Sequence, residues 1–181
     1  MHSIMVQCLA MASIVMASIG SCGQTTPAKQ RAGKATTTVY LVRHAEKEDD
    51  GDDPALSEDG QARANSLANR LKDAGIQRIF ATDTRRTQQT VAPLARRLKL
   101  KVHVVAAEDT DAMARRVLDC PGENILVAAH SNTIGPIIQG LGGEEIDPMD
   151  ESEFDNLYIV KIASTGDVIV KHERYGEPGG D

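Results

Sequence analysis

Residues 37–47 read TTVYLVRHAEK and carry a β-strand pattern that ends in Arg43 and His44. β-Branched, aromatic and aliphatic residues fill the run before Arg43, which is typical of a central strand buried on both faces. Ligands of open α/β sheets bind beyond the carboxyl ends of the strands. The sequence therefore places a potential nucleophile, the imidazole, beside a guanidinium that can bind phosphate oxygens. On this stretch alone, a strand cap at His44 with a solvated Arg43 stays an equal alternative.

Strand and helix patterns alternate from residue 37 onward, which is typical of an α/β fold. Further strands are predicted at residues 76–81, 101–106 (an edge strand) and 125–129, followed by a hairpin of residues 157–163 and 168–172. Helices are predicted from Ser57 to a stop at Gly75, from residues 82–84 to about Leu98, at 110–120, and from a Gly-Pro start to Leu141. The predicted fold is a three-layer α/β/α sandwich with a mostly parallel central sheet and a C-terminal antiparallel edge hairpin.

The composition allows one globular domain and excludes some partners. Hydrophobic residues make up 41% of the 181 residues and aromatic residues only 3%, so the core must be mainly aliphatic. The net charge of −6 argues against a nucleic-acid-binding protein, which usually presents a basic face. An anionic substrate is still compatible with this charge, because a few positioned Arg residues act strongly at short range.

The first 22 residues predict an export signal. Residues 9–19 are uncharged and apolar but too short to span a bilayer. They end in IGSC at 19–22, which resembles the bacterial lipobox, in which the Cys becomes the lipidated first residue. The region before them lacks Lys and Arg, so a plain secretory signal, a wrongly chosen start codon and a buried N-terminal helix stay open as alternatives.

The domain organisation follows from this signal. We expect a flexible linker over 23–36, a folded domain over 37–175 and a disordered tail over 176–181. A lipid on Cys22 would anchor the exported protein to a membrane, in the periplasm or at an outer membrane. Cys120 would then lack a disulfide partner, and we predict that it is a small buried residue near a helix end.

Three predicted strands deliver cationic or imidazole side chains at their carboxyl ends. Two buried strands end in His44 and His130, and the 76–81 strand leads into a helix start with Arg85 and Arg86. Side by side, these groups and two helix N-termini would surround a tetrahedral oxyanion. One His could attack phosphorus while the other stabilises the charge that grows on the equatorial oxygens.

Four motifs resemble those of the histidine phosphatase (phosphoglycerate mutase-like) superfamily. LVRHAE at 41–46 resembles its RHG signature, and LSxxG at 56–60 resembles its LSxxG segment. ATDTRRTQQT at 81–90 is similar to its SxxxRxxxT segment, and His130-Ser131 fits its second-His segment. The resemblance covers about residues 37–171, and small bacterial phosphohistidine phosphatases are similar in length.

The resemblance implies roles for individual residues. His44 would be the phosphorylated nucleophile, Arg43 and Arg86 would bind phosphate oxygens, and His130 would complete the pocket. Register with the family motif selects Arg86, so Arg85 is predicted to be solvated. No metal or other cofactor would be needed, because Arg and His supply the positive charge. A metal site formed by His44, Glu46 and His130 is a competing interpretation, although the spacing of the first two has little ligand precedent.

The general acid is the least defined part of the predicted site. Many family members carry an acid in a loop after the third strand, and others carry an Asp directly after the second His, where this chain has Ser131. Glu108 is the best positional match, with Asp109 and Asp111 as rivals. Ordinary loop or helix-capping roles stay open for all three residues. Absence of an acid would favour N–P or acyl phosphates as substrates.

Acidic stretches at 46–53 and 144–155 are predicted to line the entrance of the pocket, with a solvated surface as the alternative. Such a rim would make bisphosphates and polynucleotides poor substrates. The short connections leave no room for a capping domain, so the site should be open. The predicted partners are therefore a phosphorylated small molecule or a phosphorylated protein side chain, without nucleic acid.

Three functions fit these observations. The first is a metal-independent phosphatase that acts outside the cytoplasm through a phosphohistidine. The second is a phosphomutase on the same fold, which the acidic rim and the predicted export disfavour. The third is a non-catalytic envelope lipoprotein that binds phosphate ligands, and the presence of both His and both Arg residues argues against it. Fold alone does not prove activity. The sequence does not indicate an oligomeric state.

Overall fold

The structure is a computed structural model, which describes residues 36–48 and 51–177 of the chain. The predicted export signal, Cys22 and the predicted linker up to residue 35 lie outside the described residues, as do residues 178–181 of the predicted tail. Within the described ranges, no helix is both long enough and apolar enough to cross a lipid bilayer.

In the part of the chain that the structure describes, six strands form one sheet. They are β1 (Thr37–Arg43), β2 (Arg78–Thr82), β3 (Val102–Val105), β4 (Asn124–Ala129), β5 (Asn156–Ile162) and β6 (Val168–Arg174). Their order across the sheet is β3-β2-β4-β1-β5-β6. The first four strands in this order run parallel, whereas β5 pairs antiparallel with β1 and β6 pairs antiparallel with β5. This topology confirms the predicted parallel sheet with a C-terminal antiparallel edge hairpin, and it confirms β3 as an edge strand.

Among the described residues, four helices cover the two faces of the sheet. They are α1 (Glu58–Leu71), α2 (Arg85–Leu98), α3 (Thr110–Leu118) and α4 (Ser131–Gly140). One buried cluster joins the sheet to α3 and α4, and a second cluster joins the opposite face to α1 and α2. Strand β1 contributes Leu41 to the first cluster and Val42 to the second, and both side chains are fully buried. The predicted three-layer sandwich and the central position of β1 are therefore confirmed.

The strand order brings three carboxyl ends together. Strand β4 lies between β1 and β2, with Arg43 in register with Ala129. The backbone N–H of His44 continues this ladder by donating to the carbonyl of Ala129 at 2.9 Å. Because β1, β4 and β2 are parallel neighbours, the residues that follow them emerge at one edge of the sheet.

Several element boundaries differ from those predicted. Helix α1 ends at Leu71 rather than near Gly75, because residues 72–75 form a turn that closes with Gly75 at a φ of 66°. Helix α4 begins directly after His130, earlier than the predicted Gly-Pro start, because the Thr133 hydroxyl accepts from the His130 backbone N–H and caps the helix. Strand β6 continues to Arg174, two residues beyond the prediction.

Contacts also extend into the predicted C-terminal tail. The Arg63 guanidinium donates through Nη1 to the carbonyl of Glu177 at 2.8 Å. A Cβ added at Gly176 would lie only 3.3 Å from the Cβ of Ser66, so this residue lies close against α1. Residues 176 and 177 therefore contact the folded domain.

Candidate active site

A cavity of about 530 Å³ lies where β1, β2 and β4 end. The residues predicted to act in catalysis or phosphate binding all line it, namely Arg43, His44, Arg86, Glu108 and His130. The Arg85 side chain instead lines a separate groove beside α2. The structure therefore brings together side chains from four separate parts of the sequence and separates the two adjacent arginines.

His44 is buried, with 4% of its surface exposed. Its Nδ1 lies 2.8 Å from the carbonyl oxygen of Ala45. A carbonyl only accepts hydrogen bonds, so Nδ1 carries the proton and Nε2 of the neutral ring holds the lone pair. Burial, reinforced by the positive charges of Arg43 and Arg86, lowers the pKa of His44 to about 3. His44 is therefore an uncharged imidazole with a nucleophilic Nε2 at neutral pH.

Thr90 links the segment of His44 to the helix that carries Arg86. Its hydroxyl accepts from the backbone N–H of Ala45 at 2.9 Å and donates to the carbonyl of Arg86 at 2.8 Å. Ala45 is the residue whose carbonyl selects the proton position on His44. A single buried hydroxyl thus fixes both the peptide that orients the imidazole and the first turn of α2 that carries Arg86.

His130 is also buried, with 8% of its surface exposed, and forms the N-cap of α4. Its Nε2 lies 2.9 Å from the hydroxyl of Thr82 at the end of β2, which holds the ring in place. Burial, followed by the positive charges of Arg86 and Arg43, lowers the pKa of His130 to about 4. A dianionic ligand would raise this pKa and favour the protonated, hydrogen-bond-donating ring.

The Arg43 guanidinium is held from three sides. Its Nη1 donates to the carbonyls of Asp150, Glu151 and Glu153 at 3.1, 2.7 and 3.3 Å. Its Nη2 pairs with the Glu151 carboxylate at 2.6 Å, and the guanidinium lies 4.3 Å above the Phe154 ring. Its Nε is buried and has no hydrogen-bond partner among the described residues.

The Arg86 guanidinium also has hydrogen-bond donors without a close partner among the described residues. Its Nη1 lies 3.8 Å from the carboxylate of Asp53, which is too long for a strong hydrogen bond. Its Nε is buried without a partner in the described part of the chain. An unsatisfied buried N–H of this kind costs about 1–3 kcal/mol or more when the group is charged. Two guanidinium groups at one cavity are chemically suited to bind an oxyanion.

Each predicted acidic stretch places one carboxylate next to an arginine of the cavity. Asp53 lies beside Arg86 and accepts from the backbone N–H of Arg85 at 2.9 Å. Glu151 pairs with Arg43 and also accepts from the hydroxyl of Ser131 at 2.8 Å. Glu151 lies on the cavity wall, whereas Asp53 lines the neighbouring groove beside α2, so only one of these two carboxylates supports the predicted acidic rim.

Glu46 faces away from the proposed metal site. Its carboxylate accepts from the Nε of Arg63 at 2.7 and 2.9 Å, and both side chains are largely buried. This pair contradicts the competing interpretation in which Glu46 joins His44 and His130 in a metal site. In the ranges that the structure describes, no group of three or more His, Cys, Asp or Glu side chains could hold a metal ion.

The three candidates for the general acid differ in position. Glu108 is exposed and lines the cavity. Asp109 is the N-cap of α3, where its carboxylate accepts from the backbone N–H of Ala112 at 2.7 Å. Asp111 lies in the first turn of that helix. Only Glu108 of the three contributes to the cavity wall, and the helix-capping alternative applies to Asp109.

Seven further residues of the cavity wall were not identified as site residues from the sequence, namely Lys47, Thr84, Ala107, Ser131, Asn132, Thr133 and Glu151. Lys47 follows His44 by three positions, and Ser131 and Asn132 directly follow His130. Proximity to the two histidines was the signal that could have identified them. Glu151 is far from every motif, and its only signal is the acidic stretch around it.

Two other histidines, His103 and His172, and the thiol of Cys120 lie away from the cavity. His103 packs beside the ring of Phe80, with centroids 5.5 Å apart. His172 forms a 2.7 Å hydrogen bond with Asn156 on the neighbouring strand. Cys120 is buried near the end of α3, as predicted, and burial raises the pKa of its thiol.

Comparisons with known proteins agree with this geometry. The family model of the histidine phosphatase superfamily (branch 1) matches residues 39–108, which span β1 to β3. The protein histidine phosphatase SixA, solved with tungstate, is 19% identical with a TM-score of 0.63, over 76% of this chain and 96% of that chain. No curated protein sequence matches this chain.

Two further solved structures have the same fold. The phosphoserine phosphatase of Entamoeba histolytica, solved with 3-phosphoglyceric acid, is 17% identical with a TM-score of 0.58, over 78% of this chain and 98% of that chain. A mycobacterial glucosyl-3-phosphoglycerate phosphatase is 13% identical with a TM-score of 0.57, over 77% and 98%. The family match and these folds confirm the resemblance inferred from the four motifs.

Proposed function

Since residues 39–108 carry the histidine phosphatase pattern within a histidine phosphatase fold, we propose that this protein is a phosphatase that forms a phosphohistidine on His44. The observation that carries this proposal is the state of His44. Its ring is neutral, its Nδ1 donates to the carbonyl of Ala45, and it lies beside two arginines whose Nε groups have no partner among the described residues.

The proposed reaction has two steps. Nε2 of His44 attacks phosphorus as the bond to the leaving group breaks, and water then hydrolyses the phosphohistidine. Arg43, Arg86 and His130 surround the transferring group and stabilise the charge on its equatorial oxygens. These residues supply positive charge from the protein itself, so we expect the reaction to proceed without a metal ion.

The substrate that we propose is a phosphomonoester or a phosphoramidate, on a small molecule or on a protein side chain. The two kinds of phosphatase among the structural neighbours, for phosphoserine and for protein phosphohistidine, support both classes. Glu151 and Asp53 at the arginines disfavour a substrate that carries further negative charge. This consideration also weighs against a mutase acting on bisphosphates.

The test is hydrolysis of p-nitrophenyl phosphate by the purified full chain in the presence of EDTA. We expect turnover that EDTA does not change and that His44→Ala abolishes. Loss of activity in EDTA, or full activity of His44→Ala, would contradict the proposal. If neither p-nitrophenyl phosphate nor a phosphoramidate nor a phosphohistidine peptide is hydrolysed, the non-catalytic binding function is correct instead.

We also propose that the protein is exported and lipidated on Cys22. This proposal rests on the apolar run at 9–19 and the IGSC sequence that follows it. Fractionation of cells that express the full chain tests it. The protein should enter the membrane fraction, and Cys22→Ser should release it into the soluble fraction. An unmodified Cys22 in the mature protein would contradict the proposal.

A further inference from the structure

The carboxylate of Glu151 bridges two residues of the proposed site. Its Oε2 lies 2.6 Å from Nη2 of Arg43, and its Oε1 accepts from the hydroxyl of Ser131 at 2.8 Å. Arg43 precedes the proposed nucleophile and Ser131 follows the second histidine. The carboxylate therefore lies across the mouth of the phosphate cavity, between the ends of β1 and β4.

The backbone around Glu151 is held at the site independently of this carboxylate. Nη1 of Arg43 donates to the carbonyls of Asp150, Glu151 and Glu153, which fixes the segment beside the guanidinium. The Glu151 side chain itself is 81% exposed. It can therefore leave Nη2 of Arg43 and reorient while its backbone stays in place.

A phosphate group that enters the cavity competes with this carboxylate. Both are oxyanions, and Nη2 of Arg43 is the donor that Glu151 now uses. The hydrogen bond from Ser131 and the charge of Arg43 lower the pKa of Glu151. A bound phosphate opposes this effect, because it takes the Arg43 donor and adds a like charge beside the carboxylate. Substrate binding therefore promotes protonation of Glu151.

We infer that Glu151 is the catalytic acid and base of this site, an inference that rests on the proposed phosphatase function. As the bond from Nε2 of His44 to phosphorus forms, the bond to the leaving oxygen or nitrogen breaks, and that atom takes the proton of Glu151. Water then attacks phosphorus, the bond to Nε2 breaks, and the carboxylate of Glu151 accepts a proton from this water. Glu151 is therefore protonated before the first step and protonated again after the second.

Glu108 is the rival for this role, and its contacts are different. It lines the cavity but makes no hydrogen bond to a described side chain of the site. Glu151, in contrast, is bonded to the residue that directly follows the second histidine. Ser131 cannot itself supply an acid there, but its hydroxyl holds a carboxylate from a distant part of the chain at that position.

The experiment compares leaving groups. Nitrophenolate departs without a proton, whereas an alkoxide requires one, so loss of the acid slows alkyl phosphates selectively. We measure kcat/KM of the full chain, which reports only the steps up to formation of the phosphohistidine, for p-nitrophenyl phosphate and for glycerol 2-phosphate, in wild type, Glu151→Gln and Glu108→Gln. The matched control is Glu145→Gln, which removes an exposed carboxylate from the same acidic stretch.

Glu151→Gln should lower kcat/KM for glycerol 2-phosphate by about 10²- to 10⁴-fold and change kcat/KM for p-nitrophenyl phosphate far less. Glu108→Gln and Glu145→Gln should leave the ratio of the two rates unchanged. Equal losses on both substrates, or none, would overturn the role of Glu151, as would a selective loss in Glu108→Gln. A wild-type protein that hydrolyses neither substrate would contradict the phosphatase function itself, and with it this inference.

Discussion

The imidazole rings of His44 and His130 lie 5.3 Å apart between centroids and meet at 64°, edge to face. They follow neighbouring parallel strands, β1 and β4, that are in register up to Arg43 and Ala129. A phosphate group that contacts one ring is therefore within reach of the other. The fold brings together two residues that are separated by 86 positions, the difference between 130 and 44.

The buried imidazoles should make stability depend on pH. The pKa values of His44 and His130, about 3 and 4 in the folded protein, lie below the value of 6.5 for an unperturbed imidazole. Between about pH 6.5 and 4 the unfolded chain binds more protons, so the free energy of unfolding should fall as the pH falls through this window. Urea unfolding at pH 7 and pH 5 measures this loss.

His44→Gln is the control for this pH dependence. The variant lacks one of the two depressed pKa values, so its free energy of unfolding should fall less than that of wild type between pH 7 and pH 5. An equal fall in both proteins would show that burial of His44 does not contribute.

Variants of the adjacent residues Arg86 and Arg85 form a matched pair that tests phosphate binding. Arg86→Gln removes a guanidinium from the cavity, and we expect KM for p-nitrophenyl phosphate to rise by about 10- to 100-fold, as for loss of a charged hydrogen bond worth about 1.5–3 kcal/mol. Arg85→Gln should leave KM nearly unchanged, because Asp53 accepts from the backbone of Arg85 rather than from its side chain. Similar KM values for the two variants would refute the assignment.

Thr90 should act by positioning rather than by touching substrate. Thr90→Val keeps the shape but leaves the backbone N–H of Ala45 unpaired, which costs about 1–3 kcal/mol of stability. Because Ala45 orients His44, we expect kcat/KM to fall by on the order of 10²-fold. Thr90→Ser retains the hydroxyl, so its activity should be on the order of wild type. A serine variant as inactive as the valine variant would argue against this role.

Gly60 is required by the close approach of α1 to the loop after His44. A Cβ at this position would overlap the carbonyl oxygen of Glu46, which is backbone and cannot move aside cheaply. We expect Gly60→Ala to lower the free energy of unfolding by about 1–3 kcal/mol or more. Gly135→Ala on α4 is the control, since its Cβ would meet only Ile146 at 3.6 Å. Equal stability of the two variants in urea unfolding would contradict this explanation.

The fold was largely predictable because its signals are local. The apolar run before Arg43 and the run at 125–129 identify two buried strands, and both lie at the centre of the sheet. Element ends were less predictable, since they depend on single hydrogen bonds. The hydroxyl of Thr133, for example, starts α4 directly after His130.

The cavity was predictable to the extent that its residues lie next to strand ends or in motifs. Register with the family motif distinguished Arg86 from Arg85, and of these two arginines the structure places only Arg86 in the cavity. Glu151 could not be identified in this way, because its position depends on how the segment before β5 folds back over Arg43. A carboxylate held by long-range contacts leaves no local pattern.

The central claim is that His44 becomes phosphorylated. The most direct measurement is rapid alkaline quenching of the full chain during turnover of a phosphorylated substrate, followed by mass spectrometry of the peptide that contains residues 37–47. We predict a phosphate on His44 that is stable in base and labile in acid, and that is absent from His44→Ala. Turnover without any phosphorylated His44, or with the phosphate on another residue, would contradict the account.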